Sequence, residues 1–250
     1  MIITEPCKKL IYKETSGIKL PMFIYMPKKA AENQYIILSI HGGGWTTGIK
    51  DNSPWDGNMM RFQAMQSAEW GHIGIVISYR SLGVGGADIE DIYEDCSDAV
   101  RYIKNMDICK GKKLIVMGDS AGASLAVRLG IDDNDLVRPD AVVACNPVLD
   151  CIKKFDYVSE NPTHRLKASP LYSNINKAAE FLFMHGTEDP VTPIEDTRIL
   201  NQKLQLLGFK SQMTEIEKET HAFILYEYQN PPEKVDGYMR EIKNFIMSIE

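Results

Sequence analysis

The chain has 250 residues, of which 44% are hydrophobic and 25% are charged, and its formal net charge is −6. A chain of this length and composition can bury a substantial core without cross-links, and its acidic balance argues against a nucleic-acid partner and a polybasic membrane anchor. No apolar run approaches the roughly 20 residues that a helix needs to span a bilayer.

The cysteines and the N-terminus favour a cytoplasmic protein. The five cysteines are widely spread and include no Cys-x-x-Cys pair, a pattern typical of reduced thiols rather than of a disulfide framework. The first residues lack the charged and then apolar pattern of a signal peptide. We therefore predict a cytoplasmic protein, and the sequence leaves its oligomeric state open, a homodimer included.

Predicted strands and helices alternate along the chain. Short runs of apolar and β-branched residues predict strands at residues 8–12, 19–26, 35–40, 73–77, 114–117, 141–145, 180–184 and 210–216. Apolar residues at helical spacing predict helices at residues 56–70, 88–105, 123–129, 194–207 and 232–249. This order predicts an α/β fold in one domain of residues 1–250, with a mostly parallel central sheet and helices on both faces. The least regular insert, residues 150–174, would form at most a small cap.

The sequence Gly118-Asp-Ser-Ala-Gly122 joins a predicted strand to the helix that follows it. In this context the pattern Gly-x-Ser-x-Gly indicates a nucleophile elbow, a tight turn that exposes the serine hydroxyl at a helix N-terminus. Glycines are required because a Cβ atom at either position would collide with neighbouring elements. Ser120 is therefore the candidate nucleophile, and Asp119 is predicted to point away from it and to be structural. The alternative is a small-residue turn that only packs a helix on a strand.

A serine nucleophile needs a base, and the base needs an acid that orients it. Among the five histidines, His221 is the candidate base because it follows the last predicted strand. Asp189 follows the preceding strand and is the candidate acid, although the adjacent Glu188 competes for that role. The resulting order of serine, acid and histidine is the one expected after a nucleophile elbow.

A run of glycines, in His41-Gly-Gly-Gly-Trp45, directly follows another predicted strand. The backbone N–H groups of Gly43 and Gly44, together with that of Ala121, are candidates for an oxyanion hole, which stabilises charge developing on a carbonyl oxygen. The alternative is a flexible turn. Because the sequence has no Gly-Lys-Ser/Thr phosphate loop and no cluster with metal-ligand spacing, we expect neither a cofactor nor a metal.

Taken together, these motifs resemble those of the α/β-hydrolase esterases and lipases, specifically the branch similar to hormone-sensitive lipase and its bacterial carboxylesterase relatives. The resemblance covers the chain from Ile11 to the C-terminus and rests on residues 41–45, 118–122, 185–189 and 221–223. It implies the α/β-hydrolase fold.

The same resemblance implies roles for the site residues. Ser120, Asp189 and His221 would form the catalytic triad, and the three N–H groups named above would bind the oxyanion. The expected partner is therefore a small-molecule ester, cleaved through an acyl-enzyme without a metal.

Two departures from that branch bear on the substrate. The long N-terminal helical cap typical of the branch has no counterpart before the first strands, and residues 79–83 read Tyr-Arg-Ser-Leu-Gly instead of Tyr-Arg-Leu-Ala-Pro. Both are similar to small carbohydrate-acting esterases of the acetyl-xylan or feruloyl type, so the expected substrates are small acyl esters, sugar esters among them. A serine peptidase or amidase of the same fold and a non-catalytic binding protein are the alternatives.

Overall fold

The computed structural model, which describes residues 6–48, 60–226 and 229–249, contains an eight-stranded sheet. In chain order its strands are β1 (Lys8–Thr15), β2 (Ile18–Tyr25), β3 (Ile36–Ile40), β4 (Ile73–Ile77), β5 (Leu114–Asp119), β6 (Ala141–Cys145), β7 (Glu180–Gly186) and β8 (Ser211–Ile216). They lie side by side in the order β1-β2-β4-β3-β5-β6-β7-β8. β2 pairs antiparallel with both of its neighbours, and all other neighbours pair parallel. The mostly parallel sheet predicted from the sequence is confirmed.

Helices follow the strands as the alternating pattern predicts. They are α1 (Arg61–Glu69), α2 (Ile89–Asn105), α3 (Ala121–Gly130), α4 (Pro162–Lys167), α5 (Ile194–Leu206) and α6 (Pro232–Met247). α2 begins after Asp88 because the Asp88 carboxylate accepts the N–H groups of Glu90 and Asp91, and the Asp91 side chain accepts the N–H of Asp88. This capping box supplies partners for N–H groups that the first helical turn leaves unpaired. Part of the helix predicted at residues 56–70 lies outside the described residues.

The sheet separates two apolar cores. Successive side chains of β5 alternate between them: Val116 lies in the core that also holds side chains of α2 and α3, whereas Met117 lies in the core that also holds side chains of α1 and α6. This alternation follows from the two-residue period of a strand. Leu200 of α5 lies in the first core and Ile242 of α6 in the second. We call these two sides of the sheet the α2–α3 face and the α1–α6 face.

Parallel strands bring the candidate site residues to one edge of the sheet. The carboxyl ends of β3, β5 and β7 lie at this edge, and the loops that follow them carry the glycine run, Ser120 and Asp189. His221 follows β8, the strand beside β7. Residues 150–174, which we call the cap insert, contain α4 and two short 3₁₀ turns, Asp156–Val158 and Pro170–Tyr172.

All five cysteines lie within the described residues and are free in the structure, and only Cys7 is exposed. Across the three described ranges, no helix is both long enough and apolar enough to cross a membrane.

Candidate active site

Ser120 lies in a strained turn between β5 and α3. Its backbone angles are φ 53° and ψ −119°, a conformation that a residue with a side chain adopts only when its surroundings enforce it. A Cβ atom at Gly118 would lie 2.4 Å from the carbonyl oxygen of Gly122, and one at Gly122 would lie 2.2 Å from that of Ile40. Both glycines are therefore required by close backbone approach, as the sequence predicts for an elbow.

The imidazole of His221 lies between the Ser120 hydroxyl and the Asp189 carboxylate. Its Nε2 atom is 2.8 Å from Oγ of Ser120, and its Nδ1 atom is 2.7 Å from Oδ2 of Asp189. The Asp189 side chain is fully buried, whereas the His221 side chain is 18% exposed. In this arrangement the imidazole can take a proton from the hydroxyl while the carboxylate fixes the orientation of the ring.

The environment of Asp189 keeps its carboxyl group ionised. Oδ1 accepts the N–H groups of Val191 and Thr192 at 2.7 and 3.0 Å, and Oδ2 accepts the Thr192 hydroxyl at 2.7 Å. Burial alone would raise the pKa of Asp189. Hydrogen bonds from His185, His221 and Thr192 outweigh burial and hold this pKa well below its usual range. The Asp189 carboxylate is therefore charged at every pH at which His221 could act as a base.

His185 and Thr192 support the acid, and sequence reasoning assigned them no such role. His185 is buried, and its Nε2 atom lies 3.1 Å from the carbonyl oxygen of Thr192 and 3.5 Å from Oδ2 of Asp189. Since a carbonyl only accepts, Nε2 carries the proton, and Nδ1 can accept the hydroxyl of Thr197 at 2.8 Å. The motif His185-Gly-Thr-Glu-Asp189 contains this signal, but from the sequence it is used only as one of the motifs that carry the family resemblance.

Glu188, the competing acid, is exposed, and its N–H donates to the carbonyl oxygen of Glu219 at 2.9 Å. Glu219 anchors the loop that carries His221, because its buried carboxylate accepts Nδ2 of Asn230 at 2.8 Å and pairs with Lys234. Burial would raise the pKa of Glu219, but these partners lower it. Hydrogen bonds and an ion pair thus connect the loop that carries Asp189 with the loop that carries His221, and connect the latter with α6.

The glycine run lies against the elbow. A Cβ atom at Gly42 would lie 3.1 Å from Cβ of Ser120, and Gly43 and Gly44 have φ values of 94° and 60°, which favour glycine. Ala121 is the first residue of α3, where the helix end carries partial positive charge. In the part of the chain that the structure describes, the N–H groups of Gly43, Gly44 and Ala121 are not engaged by other backbone groups. With respect to those residues, they are available to receive a negatively charged oxygen.

A buried aromatic stack supports this loop from behind. The His41 and Tyr79 rings are parallel within 5°, with centroids 4.1 Å apart, and the Tyr79 hydroxyl donates to the His41 carbonyl at 2.8 Å. Burial lowers the pKa of His41 to about 4, so the ring is neutral at pH 7 and Nδ1 donates to the Gly42 carbonyl at 2.8 Å. The next residue, Arg80, binds both carboxylate oxygens of Asp95 on α2. The Tyr-Arg pair was noted in the sequence only as part of a family resemblance, and its structural role was missed.

Asp119 precedes the nucleophile and is almost completely buried, with 1% exposure. Its Oδ1 atom has no hydrogen-bond partner among the described residues. Burial raises the pKa of Asp119 from 3.8 to about 7, and the negative charge of Asp189 adds to this effect while His221 opposes it. The residue is therefore a buried, incompletely paired carboxyl group beside the candidate nucleophile, Ser120.

The remaining histidines lie outside the site. Nδ1 of His72 accepts the N–H of Tyr35 beside the start of β4, and Nδ1 of His164 contacts the carboxylate of Asp88 at the start of α2. No group of three or more histidine, cysteine, aspartate or glutamate side chains in the described ranges is arranged to hold a metal ion.

Two family models match the chain. BD-FAE matches residues 22–144, and the prolyl oligopeptidase family matches residues 86–245. A probable isoprenylcysteine alpha-carbonyl methylesterase of Arabidopsis thaliana is 22% identical and aligns with 86% of this chain. The chain spans about half of the length of that curated relative.

Solved structures of esterase 2 from the planctomycete Thermogutta terrifontis share the fold. The form with bound propionate has a TM-score of 0.81 and 20% identity, and covers 97% of this chain and 94% of the esterase. The form phosphonylated by cyclosarin gives a TM-score of 0.81 and 21% identity with the same coverage. At these identities the likeness concerns the fold, which is the α/β-hydrolase fold expected from the sequence motifs. The prolyl oligopeptidase family model matches well over half of this chain, residues 86–245. The chain therefore belongs to that family of α/β-hydrolases.

Proposed function

We propose that the chain is a serine esterase that hydrolyses small acyl esters through an acyl-enzyme. The observation that carries the proposal is the position of the His221 imidazole, 2.8 Å from the Ser120 hydroxyl and 2.7 Å from the Asp189 carboxylate. A serine hydroxyl becomes a useful nucleophile only when a base within hydrogen-bond distance can remove its proton.

The proposed reaction proceeds in two halves. Oγ of Ser120 attacks the ester carbonyl carbon while Nε2 of His221 takes the hydroxyl proton, and Asp189 stabilises the imidazolium. The tetrahedral oxyanion accepts hydrogen bonds from the N–H groups of Gly43, Gly44 and Ala121. His221 then protonates the leaving alcohol, and water attacks the acyl-enzyme by the same route and releases the acid.

The names of the compared proteins support ester rather than peptide substrates. The Arabidopsis relative is named a probable methylesterase, and the Thermogutta enzyme is an esterase whose structures contain propionate or butyrate. Membership of the prolyl oligopeptidase family supports a second candidate, a serine peptidase or amidase with the same triad. Rates on p-nitrophenyl acetate and on a dipeptide p-nitroanilide discriminate between the two, and we expect the ester to react at least a hundredfold faster.

A sugar is the proposed alcohol portion of the substrate. The cap insert is short, and a weakly covered site suits a bulky alcohol joined to a small acyl group. Small carbohydrate esterases of the acetyl-xylan or feruloyl type supply the analogy for a sugar substrate. Release of acetate from acetylated xylan, compared with release from simple alkyl acetates, tests it. Equal or lower activity on the acetylated sugar polymer argues for a small alcohol instead.

The Ser120→Ala substitution tests the nucleophile. We expect kcat for p-nitrophenyl acetate to fall by about four to six orders of magnitude, because the remaining site residues act as a unit with the serine. Ser124→Ala, one turn further along α3, is the matched control and should retain activity. Near-normal turnover by the Ser120 variant would exclude the proposed mechanism, and loss of activity in both variants would point to a damaged fold.

A further inference from the structure

An aromatic side chain of the cap insert stands over the glycine run. Tyr157 is 53% exposed, and its hydroxyl lies 3.4 Å from the carbonyl oxygen of Gly44. A Cβ atom at Gly44 would lie only 3.0 Å from this hydroxyl. A methyl group at Gly44 would therefore force the tyrosine hydroxyl to move by a few tenths of an ångström, so the tyrosine packs closely on this end of the candidate oxyanion loop.

The Tyr157 ring is supported from behind by two further aromatic rings. It packs edge-on against Phe155 with centroids 6.2 Å apart, and Phe155 packs edge-on against Trp45 at 6.4 Å. Trp45 is fully buried and directly follows the glycine run. Such edge-to-face pairs contribute favourable contact beyond simple burial. Contacts with Phe155 and, through it, with Trp45 therefore hold the exposed Tyr157 ring in place, although it belongs to an otherwise irregular insert.

Tyr157 and His221 approach the site from opposite faces of the sheet. Val158 and Ala168 of the cap insert are buried in the core on the α2–α3 face, whereas Phe223, which follows His221, is buried in the core on the α1–α6 face. A leaving alcohol must face the imidazole that protonates it. The acyl group of a bound ester then extends away from His221, toward the side that carries Tyr157.

We propose that Tyr157 closes the acyl-binding side of the site and restricts the enzyme to very short acyl groups such as acetyl and propionyl. The inference rests on the proposed esterase function and adds to it the residue that sets acyl length. A longer chain anchored at the oxyanion hole would meet the Tyr157 ring beside Gly44. The ring thus acts as a specificity-determining wall, and its hydroxyl is not required for the chemical step.

The test compares kcat/KM for p-nitrophenyl acetate, butyrate and octanoate in the whole protein. Tyr157→Ala should raise the octanoate-to-acetate ratio at least tenfold, because each methylene that gains an apolar contact favours binding about threefold to fourfold. Tyr157→Phe keeps the ring and should leave the ratio within about twofold of the parent value. Tyr157→Trp, with a larger ring, should lower the butyrate-to-acetate ratio. Tyr102→Ala, an exposed tyrosine on α2, is the matched control and should change neither ratio.

The outcomes separate this inference from the proposed function. If Tyr157→Ala and Tyr157→Trp both leave the acyl ratios unchanged while acetate is still hydrolysed, the acyl wall is refuted and the esterase proposal stands. If the two variants instead change discrimination between p-nitrophenyl and 4-methylumbelliferyl acetate, Tyr157 lines the alcohol side and the inference is wrong. Failure of the parent protein to hydrolyse any ester refutes the proposed function itself.

Discussion

The buried carboxyl group of Asp119 makes a specific prediction about stability and pH. Its pKa is raised from 3.8 to about 7 by burial, while in the unfolded chain it returns to its ordinary value. Well below pH 4 the group is protonated in both states and leaves stability unaffected. As the pH rises toward 7 only the unfolded state ionises, so stability is lost across this interval and stays low above it.

The magnitude follows from the two pKa values. A difference of about 3 between the folded and unfolded values corresponds to about 4 kcal/mol of unfolding free energy. Most of this loss, about 3 kcal/mol, falls between pH 5 and pH 8. The Asp119→Asn variant cannot ionise and should escape it. The unpaired amide would cost about 1–3 kcal/mol, but this cost is the same at every pH and cancels when two pH values are compared.

Urea unfolding at pH 5 and pH 8 measures the effect. We expect the stability of the Asn variant relative to the parent to improve by about 3 kcal/mol between these pH values. Asp107→Asn is the control, because the Asp107 side chain is 92% exposed and its replacement should cause almost no pH-dependent difference. A pH-independent difference for Asp119→Asn would show that this carboxyl ionises normally in the folded protein, which would refute the reasoning.

The remaining predictions concern the elbow and the acid. Gly122→Ala places a Cβ atom 2.2 Å from the carbonyl oxygen of Ile40 and should lower the melting temperature severely. The control is Gly237→Ala in α6, where the end of the Arg240 side chain is the nearby group, and it should stabilise the protein by about 0.5–1 kcal/mol. Equal melting temperatures for the two variants would contradict the close approach at Gly122. Thr192→Val removes the hydroxyl that donates to Asp189 at 2.7 Å and should cost about 1.5–3 kcal/mol at pH 7, measured by urea unfolding. Because Asp189 stays ionised in the folded protein far below the usual range of a carboxyl pKa, this cost should persist on mild acidification and be lost only as the pH falls through the lowered folded pKa. Thr192→Ser, which keeps the hydroxyl, should retain most of the stability. A loss of stability in Thr192→Ser as large as that in Thr192→Val would argue against a role through the hydroxyl.

The strands could be predicted because each buried strand is a short apolar run, whereas their order in the sheet was not predicted. β3, β4 and β6 are buried along their whole lengths, and such continuous runs are typical of parallel strands covered on both faces. β6 was predicted with its observed ends, residues 141–145. β1 was predicted too short because it continues through Lys13 and Glu14 to Thr15 at the edge of the sheet. At such an edge the hydrogen-bond ladder, rather than hydrophobicity, sets the length of a strand.

The candidate site was predictable where a backbone constraint requires a particular residue type. Gly118 and Gly122 are examples, since close backbone contacts exclude any residue with a side chain. The supporting contacts were not predictable in this way. The stack of His41 on Tyr79 joins residues 38 apart, and the contact of Tyr157 with Gly44 joins residues 113 apart. Pairs of this kind depend on how the loops fold over the sheet edge, which no local pattern specifies.

Covalent labelling with an alkyl fluorophosphonate tests the central claim most directly. Intact-mass measurement and peptide mapping should find one adduct per chain, on Ser120, together with complete loss of p-nitrophenyl acetate hydrolysis. His221→Ala should slow the labelling by at least a hundredfold, because the base 2.8 Å from the hydroxyl would be missing. An unlabelled Ser120 in a protein that still hydrolyses the ester, or an adduct at another residue that abolishes activity, would contradict the account.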